Sequence, residues 1–183
     1  MLISPSGIPY QETTAEDIVL LDSLSGHPIE GSRKPSSEWA LHLAVHAAKP
    51  QARAVLHAHS TYCTVFSCLR EPLVAVHYGI AASGAAEVPC AEYATFGTRE
   101  LAINVARAMG HSNAVLLANH GQLCCGPSLA KAFSTAEEME FLAEMLWRTR
   151  SIGNPVILDH EEMKRVLERY KSYGQNTQEL KQV

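Results

Sequence analysis

The stretch Arg53-Ala54-Val55-Leu56-His57-Ala58-His59-Ser60 decides how this chain is organised. Its apolar pattern predicts a half-buried strand over Arg53 to His59, after which Ser60 opens a helix to Leu69 as its N-cap. In a strand, residues i and i+2 point to the same face. His57 and His59 therefore present two imidazoles to one point, and Ala58 turns away. Two histidines at this spacing can equally be a hydrogen-bonded surface pair, so a metal site needs a third ligand.

A third histidine stands at a second strand end. Ala114 to Ala118 is a strong β run that stops at Asn119-His120-Gly121, and Gln122 to Cys125 reads as its antiparallel continuation after a tight turn. His120 alone reads just as well as a turn histidine. Taken with His57 and His59 it completes a trio of neutral imidazoles, which leaves a tetrahedral zinc one open position, the arrangement of a catalytic site. His42 and His46 form a competing pair, four apart on a predicted helix. A zinc protease would need Glu directly after the first histidine to activate water, and Leu43 stands there. Packing or surface roles are expected for both.

The rest of the chain supplies the frame. Met1 to Ser4 and Ile18 to Leu21 are short β-like runs that can pair as a hairpin-like unit, and a polar loop follows from His27 to Pro35. Ser37 to Ala48 reads as a helix with Trp39, Leu43 and Ala47 on one face, ended by Pro50. Val74 to Glu87 is expected to be partly helical and Val88 to Thr95 strand-like. Thr98 to Met109 is a helix closed by Gly110. Ser128 to Arg150 and Glu161 to Tyr173 are two long helical patterns, and the polar residues 174–183 are expected to form a mobile tail. Strands and helices interleave without a regular βαβ rhythm. The expected fold class is α/β, a single domain over residues 1–173 with a mixed, largely antiparallel central sheet flanked by helices.

Composition narrows the function. The chain has 183 residues, 46% of them apolar, enough for one domain with a substantial core. Its formal charge is -4 with scattered basic residues, which argues against a nucleic-acid partner. The start lacks a signal-like apolar region and no segment reaches membrane-span length, so a soluble, cytoplasmic protein with no membrane partner is expected. The five cysteines contain no CxxC pair and read as reduced thiols, mostly buried. No glycine-rich phosphate loop is present. Pro35-Ser36-Ser37-Glu38, however, has the form of a helix N-terminus. It is either a capped helix or a phosphate site formed by free N–H groups and two hydroxyls, with Glu38 beside it.

Pro35-Ser36-Ser37-Glu38, His57-Ala58-His59-Ser60 and Asn119-His120-Gly121, in that order and at these separations, resemble the class II aldolase and adducin family. Met1 to Tyr10, His77-Tyr78 and Tyr93-Ala94-Thr95-Phe96-Gly97-Thr98 are similar to its fuculose-phosphate aldolase branch, so the likeness covers nearly the whole chain. The resemblance implies Zn2+ held by Glu38, His57, His59 and His120 in the resting enzyme, and a homotetramer with active sites between subunits. It further implies that dihydroxyacetone phosphate displaces Glu38 from the ion and loses a carbon-bound proton to it. Tyr78 of a neighbouring subunit would protonate the aldehyde oxygen. Ser6, Gly7, Ser36 and Ser37 match phosphate-contacting positions, while Phe96 and Tyr173 match aromatic positions near the aldehyde.

Relatives carry a further helix and a Gly-Asn loop before the position of Met1, so the expected fold lacks the family's usual N-terminal helix. The implied activity is reversible cleavage of a ketose 1-phosphate to dihydroxyacetone phosphate and a short aldehyde such as lactaldehyde. The alternatives within the superfamily are a pentulose-phosphate 4-epimerase, a dehydratase and a decarboxylase. The epimerase type has Asp where Glu38 stands. An adducin-like interaction module would keep the fold without the metal.

Overall fold

The computed structural model describes residues 1–173, so the expectation of a mobile tail over 174–183 lies outside the described residues. The chain opens with strands β1 (Leu2–Ile3), β2 (Val19–Leu21) and β3 (Pro28–Glu30), which form an antiparallel three-stranded sheet. As expected, β1 and β2 pair, with Leu2 opposite Leu20 and Ile3 opposite Val19. Strand β3 replaces part of the expected polar loop. All three of its residues are exposed, so it is held by backbone pairing to β2 and carries no apolar alternation that the sequence could display. Ile3, Val19 and Leu21 bury together against Met1 and Trp39.

The main sheet is four-stranded, in the order β4 (Ala54–Ala58), β7 (Gly121–Gly126), β6 (Ala114–Leu117), β5 (Cys90–Ala91). The β4–β7 and β7–β6 pairs are antiparallel and β6–β5 is parallel. The mixed, largely antiparallel sheet expected from sequence is therefore present, beside a second small sheet that was not anticipated as separate.

Helices cover both faces. Helices α1 (Trp39–Ala48) and α3 (Arg99–Met109) bury Leu41, Val45, Leu101, Val105 and Met109 against Val115, Leu117, Leu123 and Cys125. On the opposite face, α2 (Thr61–Leu69), α4 (Leu129–Ile152) and α5 (His160–Tyr170) bury Phe66, Met139, Leu142, Leu146 and Met163 against Ala114, Leu116 and Cys124. Alternate residues of β6 and β7 thus serve opposite cores, as the period of two requires. The inward face of α1 is Leu41 and Val45, whereas on the face shared by Trp39, Leu43 and Ala47 the first two are half-buried and Ala47 is exposed. Trp39 is drawn instead to the small sheet, where its ring lies against Gly26, at a spot with no room for a Cβ.

Thr98, Ser128 and Asp159 cap α3, α4 and α5 with side-chain oxygens that accept from the first turn. Ser60 does not cap α2 this way. All five cysteines are free thiols, with Cys63, Cys124 and Cys125 buried and Cys68 exposed. No helix among the described residues is long and apolar enough to cross a membrane.

Candidate metal centre

The register of the main sheet brings the three histidines together. Ala58 at the end of β4 pairs with Gln122, and Leu117 at the end of β6 pairs with Gly121. The β6–β7 turn, residues 118–120, therefore lies beside the exit of β4. Asn119 takes a left-handed conformation in that turn, with φ of 54°, a position that Asn tolerates better than most residues. Its side-chain oxygen accepts from Arg70 Nε at 3.0 Å, and its backbone N–H donates to the carbonyl of Ser67. Gly121 is required by close approach. A Cβ there would stand 2.5 Å from the oxygen of Ala58 and 3.0 Å from Cδ2 of His59.

The ligand atoms of His57, His59 and His120 lie within 4.8 Å of one another. Ring centroids are separated by 4.8 to 4.9 Å, and the Nε2 atoms of His57 and His59 are 3.0 Å apart. Tetrahedral zinc with bonds of about 2.0–2.1 Å sets its nitrogen ligands roughly 3.3 Å apart; the His57–His59 pair is near that spacing, and the trio, all within 4.8 Å, would draw in around the ion. The Nδ1 of His57 is 2.9 Å from the carbonyl oxygen of Gln122. A carbonyl can only accept, so Nδ1 carries the proton and Nε2 presents its lone pair to the other two rings. Burial pushes the His57 pKa down to about 3, against the opposing pull of the Gln122 carbonyl; His120, His59 and His42 lower it further. His120 is also lowered, chiefly by burial. Neutral imidazoles are the form that binds metal.

Glu38 is not a member of this cluster of ligand atoms. It is 8% exposed at the N-cap of α1, and its Oε2 is buried without a hydrogen-bond partner. Burial raises its pKa, partly offset by the backbone N–H of Gly97. His42 lies one turn further along α1 and is close enough to His57 to lower its pKa slightly. His42 itself is pushed down to about 4 by burial, and His46 Nδ1 sits 3.2 Å from the carbonyl of Ala52. Both are half-buried, in keeping with the packing or surface roles expected of them.

The serines matched to a phosphate site are brought side by side. Pro5 bridges Pro35, Ser6 N–H donates to the carbonyl of Lys34 at 2.9 Å, and Ser36 N–H donates to the carbonyl of Ser4 at 3.0 Å. Ser6 and Gly7 thus neighbour Ser36 and Ser37 at the start of α1. Ser36 Oγ accepts from the Glu38 N–H at 3.2 Å. The two aromatic positions behave differently. Phe96 is exposed in the loop before α3. Tyr78 and Tyr173, also exposed, share a cleft of about 630 Å³ with Leu158, Arg165, Arg169 and Tyr170, and none of the three histidines lines it.

Sequence reasoning missed Glu140, on α4. Its carboxylate accepts from Ser60 Oγ at 2.7 Å and from the backbone N–H groups of Tyr62 and Cys63 at 2.8 and 2.9 Å. It lies 80 residues beyond Ser60 in a run of acidic residues, Glu137-Glu138-Met139-Glu140, where no local pattern separates it from its neighbours. Gln122, 2% exposed, was taken only as a strand residue.

Residues 1–147 match the family described as Class II Aldolase and Adducin N-terminal domain. The chain is 46% identical over 180 residues to the L-fuculose phosphate aldolase of Escherichia coli O6:H1, covering 98% of this chain and 83% of that protein. It is 43% identical over 178 residues to the 5-methylthioribulose-1-phosphate/5-deoxyribulose-1-phosphate aldolase of Rhodospirillum rubrum, covering 97% and 80%. Among solved structures, an L-fuculose 1-phosphate aldolase superposes with a TM-score of 0.90 at 47% identity, over 93% of this chain and 80% of that one. With a matching fold, a matching length of sequence and three imidazoles gathered at one sheet end, the chain belongs to the class II aldolase and adducin family and is a lyase of the aldolase type.

Proposed function

We propose that the protein is a zinc-dependent aldolase that reversibly cleaves a ketose 1-phosphate, of the fuculose 1-phosphate type, to dihydroxyacetone phosphate and a short aldehyde such as lactaldehyde. The observation that carries this is the His57, His59 and His120 cluster, whose ligand atoms lie within 4.8 Å of one another. The relatives at 46% and 43% identity, named for fuculose phosphate and for methylthioribulose or deoxyribulose phosphate, share the ketose 1-phosphate class of substrate.

Zinc held by the three histidines would act as a Lewis acid on the carbonyl of the ketose phosphate. The chain's own groups do the rest. Ser6, Gly7, Ser36 and Ser37, with the free N–H groups and positive dipole end of α1, hold the phosphate. Glu38 takes the carbon-bound proton of the dihydroxyacetone unit and returns it in the reverse direction. Its buried, partnerless Oε2 suits that role, because a desolvated carboxylate holds a proton more readily than a solvated one. Glu38, outside the three-histidine cluster in this structure, would have to swing toward the ion to serve as its fourth ligand in the resting enzyme.

Tyr78 delivers a proton to the aldehyde oxygen. The role would fall to a neighbouring subunit of a homotetramer, a reading supported by the separation of the Tyr78 cleft from the histidines within one chain. Phe96 and Tyr173 border the aldehyde. Reduced thiols and the absence of a membrane-crossing helix among the described residues suit a cytoplasmic enzyme.

The test is a panel of ketose 1-phosphates, including fuculose, deoxyribulose and methylthioribulose 1-phosphates, assayed for release of dihydroxyacetone phosphate with and without chelator. Chelator-sensitive cleavage is expected. An isomeric pentulose phosphate without fragments would instead mark an epimerase.

A further inference from the structure

We propose that Glu140 is a positioning residue for the metal-binding histidines, acting through Ser60 and Gln122 from the opposite face of the sheet. The proposal rests on the assignment of His57, His59 and His120 as metal ligands. Starting at α4, the Glu140 carboxylate accepts from Ser60 Oγ at 2.7 Å and from two N–H groups in the first turn of α2. Having given its proton to Glu140, Ser60 Oγ accepts from Gln122 Nε2, also at 2.7 Å. The same Nε2 donates to the carbonyl of Ala136, one turn before Glu140 on α4, and Gln122 Oε1 accepts from Cys124 Sγ. The backbone carbonyl of Gln122 then takes the Nδ1 proton of His57.

Two links to the metal ligands follow. Ser60 directly follows His59, so fixing the serine fixes the backbone that carries that imidazole. Gln122 sends its side chain to the α2–α4 face, with Cys124, and its carbonyl to His57, which shares the α1–α3 face with Val55. The residue whose backbone sets the tautomer of His57 is therefore anchored from behind by a carboxylate on a different element.

A simple helix cap does not account for this arrangement. Nine-residue α2 already has a serine at its N-cap, the residue type best suited to bond the first-turn N–H groups itself. Ser60 makes no such bond. Its hydroxyl is turned to Glu140 and Gln122, and the carboxylate takes over the N–H groups. Groups that orient metal-binding imidazoles typically change metal affinity about 10–100-fold when removed.

The test compares wild type with Glu140→Gln, Glu140→Asp, Ser60→Ala, the double variant Glu140→Gln with Ser60→Ala, and Asp159→Ala. The last removes the α5 cap, which accepts from the Glu162 N–H at 2.8 Å, and serves as a control for general loss of stability. Zinc affinity is read by competition with a chelating dye, thermal midpoints are recorded for every variant, and the His57 tautomer is read from imidazole nitrogen shifts of the metal-free proteins. Glu140→Gln and Ser60→Ala are each expected to weaken zinc binding about 10–100-fold. The double variant should be no weaker than the worse single one, because both break one chain. Glu140→Asp should recover part of the loss, and Asp159→Ala should lower the midpoint without changing affinity.

Wild-type affinity in Glu140→Gln, or an equal affinity loss in Asp159→Ala, would overturn the proposal. If Glu140→Gln does not fold, Ser60→Ala decides, since it spares the two backbone bonds to Glu140; unchanged affinity there overturns it. If wild type itself binds no zinc, the metal assignment fails, and the tautomer judges the chain separately. A single Nδ1–H form in wild type that becomes mixed in the variants supports it, and an unaltered one overturns it.

Discussion

His57 Nδ1 and the main-chain oxygen of Gln122, on adjacent antiparallel strands, lie 2.9 Å apart, and this one bond fixes which nitrogen of His57 is free to bind a metal. The fold supplies it through register: Ala58 sits opposite Gln122, so the carbonyl arrives beside the imidazole without any special loop. Burial of that imidazole then keeps it neutral.

The neutrality has a measurable cost in acid. His57 is pushed down to about 3 in the folded protein, against an ordinary histidine value near 6.5. Between those values the unfolded chain takes up a proton that the folded chain refuses. Stability of the metal-free protein should therefore be fully present above about pH 6.5 and fall as pH drops toward 3, by up to about 1.4 kcal/mol per pH unit for this group. Urea unfolding between pH 7 and 4.5 is expected to show a shallower loss for His57→Gln than for wild type. Parallel curves would contradict the assignment.

Gly121 should tolerate no side chain. An added Cβ meets the carbonyl oxygen of Ala58 at 2.5 Å, and a backbone atom in a paired strand cannot move aside cheaply. Gly121→Ala is expected to cost about 3 kcal/mol in urea unfolding. It should also weaken metal binding, because the same Cβ presses on His59.

Glu38→Gln separates proton transfer from metal binding. Turnover should fall at least about 100-fold, the usual contribution of a positioned acid-base group, while the protein retains bound zinc. The metal-free variant should also be more stable than wild type at neutral pH. The folded Glu38 pKa is raised by burial, so its favourable contribution is present at low pH and lost as pH rises through that value. The stability gain of the variant should accordingly vanish on acidification toward the ordinary glutamate range. Normal turnover in Glu38→Gln would remove Glu38 as the base.

Tyr78→Phe is expected to slow addition of the aldehyde about 100-fold or more while leaving exchange of the donor's carbon-bound proton with solvent near the wild-type rate. Isotope exchange measured beside carbon–carbon bond formation distinguishes the two steps. Equal losses would place Tyr78 outside the proton delivery to the aldehyde.

The elements legible in the sequence were those with strong local signals. The run Ala114 to Ala118, its turn through Gly121 and the return strand were readable because a continuous apolar stretch, a turn and a second apolar stretch leave few alternatives. The three histidines were found because strand periodicity and strand ends set their directions. β3 was missed because exposed Pro28, Ile29 and Glu30 pair through backbone alone. Which face of α1 turns inward was not readable, because Trp39, the largest apolar residue there, packs on the small sheet, and the core takes Leu41 and Val45. Glu140 was invisible for a different reason: its partners, Ser60 and the N–H groups of Tyr62 and Cys63, lie 77 to 80 residues earlier in the sequence, and only the packing of α4 against α2 brings them together.

The central claim is that His57, His59 and His120 together hold one metal ion. Metal analysis of the purified protein reconstituted with zinc and freed of loose ions tests it most directly, with wild type set beside His120→Ala. About one zinc per chain in wild type and a near-total loss in the variant is the predicted result. A wild type without zinc, or a His120→Ala protein that keeps its full complement, would contradict it.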